Sequence, residues 1–589
     1  MPLVAAVAWR NTGGGGAFFA HAGPDKTIAL PASDLSLFGS VDDLTTGPFL
    51  IAWSQVSGPA TAVFSAPWAF ATTVSFTTVG TYVFRITVIS SAGVSTDDVT
   101  VVVRAATDQT AFYVDPTYTG GGNDGSAAHP WTTELNGSSP TAAWTTINTA
   151  LASNDVIVYF SARLAGSDTK ESQSAELNIW RTDTSMHRLT LDGMSKYNTN
   201  DTTGSWLDYA GANKYKIVGS GNLSVGVSSN NTGYPCHYTT IRGFEVTSRI
   251  TWAGDYSTIE RCWAHDMIGS DPGLLFHGAV YSSCVAEFGN LQDITVRNNL
   301  IERTNGEGIY IAGNYILATD GGCPSWGNTH RDLLIEENTV TDAGFMGAQG
   351  DGIDLKAGLL NVTIRGNRIQ QTDGGVLAAA NGFRGIVSSG IFGTATTVGN
   401  YLIEQNIILD YPECSFQQNN GVTIRNNVFA CQGGAAAMAI TTDSNTSERN
   451  KNIALYNNTI YNGYIILNFQ DGAYLRNNVL SGITSGEQAS THGTSTGLNS
   501  DYNAFVSTMA FTNWSEGANS TPLLHLGTAS LFVNPAVDDY HLLASTVCVN
   551  TGISLAAGLT AEDSGFANDL EGTTRPQGAA WDLGAYERV

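Results

Sequence analysis

Charge is sparse in this 589-residue chain: Asp, Glu, Lys and Arg together make up 13%, and lysine occurs only at 26, 170, 196, 214, 216, 356 and 451. Basic residues number 27 against 52 acidic, a net charge of −25. Clustered Lys and Arg for phosphate contacts are therefore missing, which excludes nucleic acid as the main partner. The same acidity suits a protein kept soluble outside the cell. The seven cysteines (236, 262, 284, 323, 414, 431 and 548) are odd in number, with no C-x-x-C pair and no regular histidine spacing, which argues against zinc. No apolar run approaches roughly 18 residues, so no membrane span is expected. The start, MPLVAAVAWRNTGGGG, lacks a basic n-region and a cleavage site. Residues 1–19 read instead as an arm for attachment, to a virion or another surface assembly.

Glycine, at 65 residues, is abundant, as are Ser, Thr and Asn, the composition of a turn-rich all-β protein. Between Val296 and Val479 one phrase recurs seven times: ITVRNNLI, LLIEENTV, VTIRGNRI, YLIEQNII, VTIRNNVF, IALYNNTI and AYLRNNVL. The shared Asn falls at 299, 338, 367, 406, 427, 458 and 478, with successive gaps of 39, 29, 39, 21, 31 and 20 residues. Repeats near 20 residues with period-2 alternation and a tight Asn turn predict a right-handed parallel β-helix. Coils about 4.8 Å apart let the Asn amides bond one another along the turn.

Ahead of the repeats, residues 20–104 carry short strands between Gly and Pro turns, the pattern of a small β-sandwich. AGPD, WSQVSGP, GTYVFRITV and DDVTV resemble the polycystic-kidney-disease-type (PKD) immunoglobulin-like domains, and the resemblance implies a spacer or a weak carbohydrate or partner binder. The β-helix is expected over 110–589. FYVDPTYTGGGNDG would open it, a helix in TTINTALAS would cap it, and the segment from DDYHLL onward would close it.

The two longest gaps hold the least ordinary strands, Gly306-Glu-Gly-Ile-Tyr-Ile and Gly350-Asp-Gly-Ile-Asp-Leu-Lys. Aligned on their Gly-Ile steps, they set Tyr310 over Asp354 and Ala312 over Lys356. Alternation then places Ile309, Ile311, Ile353 and Leu355 inside and Tyr310, Asp354 and Lys356 on one outer face. Lys356 is the one lysine expected in the middle of a coil strand. Insertions map to loops that often border a binding face. They bring His330 and Arg331, and then Asn381 and Arg384, within consideration, while the preceding coil offers His277. Singly, each has an ordinary explanation: an exposed Lys–Asp pair is worth about 0–1 kcal/mol, and a surface Tyr commonly just packs. Their coincidence marks the face.

GEGIYI and GDGIDLK resemble the right-handed β-helix polysaccharide lyases that cut alginate-type polyuronates. The resemblance implies an acidic-polysaccharide substrate and β-elimination, with Lys356 and Tyr310 sharing acid and base work. Arg384, His277, His330, Arg331 and Glu307 would hold substrate. A more distant likeness to calcium-dependent pectate lyases implies Ca2+ on Asp351 and Asp354. Asp354, about 7 Å along the strand from Lys356, would raise the lysine pKa and oppose its use as a base. Lys356 would then be an electrostatic stabiliser with Tyr310 moving the proton, unless a cation or Arg384 offsets Asp354. Two other readings stand beside this one. A β-helix glycoside hydrolase would use two of Glu307, Asp351 and Asp354 about 5–9.5 Å apart, and a non-catalytic tailspike or adhesin would bind glycan along the coils at a virion or extracellular surface.

Overall fold

The computed structural model describes residues 18–589 except 31–33, 42–49, 91–92, 106–108, 117, 133–134, 136–140, 161–176, 180, 182–184, 186, 194–214, 218–222, 226–235, 268–271, 277–290, 312–329, 348, 357–358, 389–398, 417–419, 432–437, 443–449, 469, 482–486, 493–495, 507–509, 513–514, 524–530 and 556–565. The arm up to residue 17 lies outside the described residues. Among those described, three long parallel sheets of 13, 12 and 12 strands run side by side. A representative coil contributes Gln292–Arg297 to the first sheet, Leu300–Glu302 to the second and Ile309–Ile311 to the third. The next begins at His330–Glu336, in parallel register with Gln292–Arg297. This is a parallel β-helix, with aliphatic side chains such as Ile301, Val340, Ile369 and Ile408 stacked inside it. The helix Ala142–Leu151 turns Ala143, Trp144, Ile147 and Leu151 onto the same core at its N-terminal end.

The Asn phrase is the corner between the first and second sheets. Asn299 gives its backbone N–H and its amide to Asn338 Oδ1 at 3.0 and 2.9 Å, and Asn338 does the same to Asn367 at 2.9 and 3.0 Å. The chain of bonds passes through 406, 427, 458 and 478 to Asn503, one rung past the seven phrases. At its other end the Cys262 N–H takes the place of a rung, donating to Asn299 Oδ1. Each rung follows a left-handed residue, with φ between 51° and 63° from Asn298 to Tyr502. Only Gly366 in that series is free of the steric penalty, which Asn tolerates better than most residues. The ladder satisfies buried amide groups that would otherwise cost about 1–3 kcal/mol each.

One residue further back runs a second ladder. Asp192, Arg242, Glu260, Arg297, Glu336, Arg365, Glu404 and Arg425 lie in register on eight successive coils, acid and base strictly alternating. Glu404 is gripped from both sides, by Arg365 Nε at 2.7 Å and Arg425 Nε at 2.9 Å. Burial alone would push its carboxyl up, but the two guanidinium groups hold it below the usual carboxylate range.

The N-terminal domain is a sandwich of a four-stranded sheet (Lys26–Ala29, Gly93–Arg104, Gly80–Ser90, Leu50–Ser57) and a three-stranded one (Asp34–Phe38, Ala71–Ser75, Val63–Phe64). Its core is built on Trp53, Phe76, Tyr82 and Phe84, and Trp53 donates Nε1–H to Ala69 O at 3.0 Å. The spacer expectation gives way to a docked domain. Lys26 forms a buried ion pair with Asp293, Thr73 Oγ1 donates to Glu336 Oε1 at 2.7 Å, and Arg365 donates to Ala71 O at 2.9 Å. Phe38 and Ala71 close over Leu334. The domain thus lies against the charged ladder on the first sheet. At the other end of the chain, Leu531, Phe532, Tyr540, Leu542 and Tyr586 pack on Leu409, Val428, Ala430 and Val479 of the second sheet.

Candidate functional site

The third sheet carries the site. Gly308, Gly352 and Gly385 precede Ile309, Ile353 and Ile386 on successive coils. A Cβ on these glycines would come within 2.4 Å of Val340 Cγ1, 2.3 Å of Ile369 Cγ2 and 2.5 Å of Ile408 Cγ2 respectively. The corner therefore needs glycine, pressed against the second sheet. Backbone bonds lock it: the Gly308 N–H donates to Asp351 O at 2.9 Å and the Gly352 N–H to Arg384 O at 2.8 Å. The residue before each glycine joins one column, Glu307, Asp351 and Arg384, which Glu413 continues on the next coil.

Within this column the Arg384 N–H donates to Asp351 Oδ1 at 2.7 Å, and Arg384 Nε donates to Glu413 Oε2 at 3.1 Å. Beside it, Tyr310 and Asp354 pair in register on adjacent strands, and Ile309, Ile311, Ile353 and Leu355 are fully buried. Lys356 Nζ donates to Asp354 Oδ2 at 2.5 Å and stands 5.0 Å from the centre of the Tyr310 ring. Asp354 is only 1% exposed, so it lies beneath the outer face rather than on it, and its Oδ1 has no hydrogen-bond partner among the described residues.

These contacts set the protonation states. Burial, aided by the charge of Asp354, raises Glu307 to about 7 and Asp351 to about 6. Asp354 itself is pushed up by burial, against the pull of Lys356. For Lys356, burial acts downward, but Asp354, Glu307 and Asp351 outweigh it and the ammonium is held above its usual range. Two carboxyl groups tuned near neutrality thus sit with a fixed cation.

Several expectations from the sequence need correction. Lys356 follows the strand Ile353–Leu355, whereas Lys216 lies mid-strand in Tyr215–Ile217 and Lys451 within Asn450–Tyr456. Its significance rests on its contacts, not on being the sole strand lysine. Arg384 is not set apart by a long loop, since it begins the strand Arg384–Ser388 in the site column. His330 is fully buried, with Nδ1 accepting from the Leu291 N–H at 3.1 Å and its ring edge-on to Phe276. It is a core residue. Arg331 lies on the first sheet, bonded to Gln292 Oε1 at 2.6 Å, away from Tyr310. His277 falls outside the described residues. Glu413, which the sequence reading passed over, was discoverable as the next member of the column.

Calcium does not suit Asp351 and Asp354. Ca2+ takes six to eight oxygen ligands, but Lys356 Nζ already occupies Asp354 Oδ2 and a backbone N–H occupies Asp351 Oδ1. Among the described residues no group of three or more His, Cys, Asp or Glu side chains is set to hold a metal ion. Two clefts at the seam between the domains, of about 30 and 70 Å3, have room for water but fall well short of a sugar-sized pocket. No helix among the described residues is long and apolar enough to cross a membrane.

Fold and site together describe a parallel β-helix protein with a docked immunoglobulin-like domain. A family profile for PKD domains matches residues 22–103, and the N-terminal domain is a member of that family. The solution structure of the PKD domain from the KIAA 1837 protein is 30% identical over 16% of this chain and 93% of that one, with a TM-score of 0.14. The PKD domain (329–428) from human KIAA0319 is 24% identical over 16% of this chain and 94% of that one, also at 0.14. A Yersinia enterocolitica family 28 exopolygalacturonase covers 83% of this chain and 95% of its own at 10% identity, with a TM-score of 0.22, too slight a likeness to carry an argument. No curated protein matches the chain.

Proposed function

We propose that this protein cleaves an acidic polysaccharide at the third-sheet column by acid–base hydrolysis, with Glu307 as general acid and Asp351 as general base. The observation that carries the reading is the juxtaposition, in register on adjacent coils, of two carboxyl groups held near 7 and 6. Protonated Glu307 gives its proton to the glycosidic oxygen as that carbon–oxygen bond breaks. Ionised Asp351 takes a proton from the water whose oxygen bonds to the sugar carbon, so the pair ends with its protonation exchanged. Asp354 supports both groups by its charge from beneath. Lys356 and Arg384 supply positive charge for a uronate carboxylate.

β-Elimination is the second reading, and the placing of the Lys356 ammonium over the Tyr310 ring favours it. In that scheme Lys356 steadies the developing enolate and Tyr310 moves the proton. Lys356 is unsuited to be the base, because its neighbours hold it ionised. Incubation with polygalacturonate and alginate separates the two. New reducing ends without ultraviolet absorbance support hydrolysis; an unsaturated absorbing product transfers the site to Lys356 and Tyr310. Tight glycan binding with neither product would leave a non-catalytic adhesin.

A further inference from the structure

Among the described residues of the β-helix up to Ser481, the large apolar side chains left exposed are Phe345 at 36%, Met346 at 59% and Val376 at 58%. All three lie on the two turns that flank Asp351 and Arg384 in the chain. The turn bearing Phe345 and Met346 is braced on both sides of the site. Its Gly344 N–H donates to Gly306 O at 3.1 Å and its Phe345 N–H to Thr304 O at 3.0 Å, just ahead of Glu307. On the other side it rests on Phe383, the buried neighbour of Arg384, so closely that a Cβ on Gly344 would lie 2.6 Å from that ring. Gly344 has φ +72°, a conformation glycine holds without strain. Phe345 is thus an aromatic displayed on a rigid turn, one step from a column of catalytic character. Contiguous exposed apolar groups on an otherwise polar solenoid mark a binding surface.

We infer that Phe345, extended by Met346, is the platform on which a sugar ring of the polysaccharide stacks next to the cleavage point. A pyranose presents carbon-bound hydrogens on one face and hydroxyls at its rim, so a flat aromatic covers the first and leaves the second hydrated. Val376, on the helix Val376–Asn381 of the next coil, continues the apolar surface, and Gly347 of the turn approaches the Asn381 side chain. The chain would then cross the coils with one unit on Phe345 and its neighbour against Glu307 and Asp351. This rests on the glycan-cleaving reading above for its substrate class.

The test uses the full-length protein with oligogalacturonate and alginate hexasaccharides, measuring binding by calorimetry in a Glu307→Gln background and cleavage in the native one. Phe345→Ala should weaken hexasaccharide binding about tenfold, one decade of affinity, and raise KM with little change in kcat, whereas Phe345→Trp should restore both. The exposed side chain makes folding insensitive to either change, which a thermal melt verifies. Hexasaccharide binding unaltered by Phe345→Ala overturns the platform while leaving the hydrolytic reading standing. Phe345-dependent binding without cleavage by the native protein keeps the platform and removes the hydrolysis. Failure of the native protein to bind either hexasaccharide overturns the platform too.

Discussion

Lys26 of the PKD domain and Asp293 of the first sheet form an ion pair whose side chains are 7% and 11% exposed, and Lys26 Nζ also donates to Ser36 O at 2.8 Å. Lys26→Met keeps most of the stem and removes the charge. Breaking a buried pair from one side costs about 3–5 kcal/mol, because the remaining charge stays desolvated. At about 1.4 kcal/mol per decade this shifts docking by roughly two to three and a half orders of magnitude. Asp293 has an escape: burial already raises its pKa, and losing Lys26 raises it further. Stability tied to a raised carboxyl is fully present below the unfolded value and is lost as pH rises through the folded one. The defect in Lys26→Met should therefore be slight near pH 4 and full at pH 8. Limited proteolysis just after Arg104, together with a thermal scan, reads it: the variant should release the domain at pH 8, and Lys26→Met/Asp293→Asn should recover most protection. A folded Lys26→Met protein as protected as the native one at pH 8 would refute the docked arrangement.

Glu307 must be protonated and Asp351 ionised, so cleavage should peak between pH 6 and 7 and fall on both sides, with Asp354→Asn moving the alkaline limb downward; a flat pH–rate profile would count against the pair. Glu307→Gln should lower turnover at least about a hundredfold, yet raise stability at pH 8. Holding Glu307 near 7 rather than its usual 4.5 costs the folded state up to ~3 kcal/mol there, which differential calorimetry can detect. Lys356→Ala with little effect on kcat but a higher KM would support carboxylate gripping, whereas a loss as large as that of Tyr310→Phe, with an unsaturated product, would point to elimination. Asn367→Ala removes an amide bonded to the rungs on both sides and should destabilise the coils by about 1–3 kcal/mol per stranded group, measured by chemical denaturation.

The β-helix was legible because the Asn corner repeats for a local reason, a left-handed residue followed by an amide that satisfies the neighbouring coil. The Gly-Ile alignment also held: it paired Tyr310 with Asp354 because Gly308 and Gly352 both face side chains of the second sheet that tolerate no Cβ. Three-residue strands such as Tyr215–Ile217 are too short to show alternation, so the other strand lysine there was missed. Burial of Asp354 depends on what covers an outward position, which strand periodicity does not encode. Docking of the PKD domain was hidden for a similar reason. It uses Lys26, Ser36 and Thr73, residues that read as solvent-facing until a partner surface is known. The alternating column was present in the phrases themselves, two positions before each Asn at Arg297, Glu336, Arg365, Glu404 and Arg425, and emerges once the coils are stacked.

That column gives the solenoid a parity. One coil is the period of its backbone, but two coils are the period of its charge. Deleting residues 338–366, a single turn of the spiral, would remove Arg365 and bring Glu336 against Glu404, two like charges in a buried file. Deleting 338–405 would instead bring Glu336 to Arg425 and keep the sequence of signs. Length can therefore change smoothly only by even numbers of coils over this stretch, and the shorter excision should yield the less stable protein although it removes fewer residues.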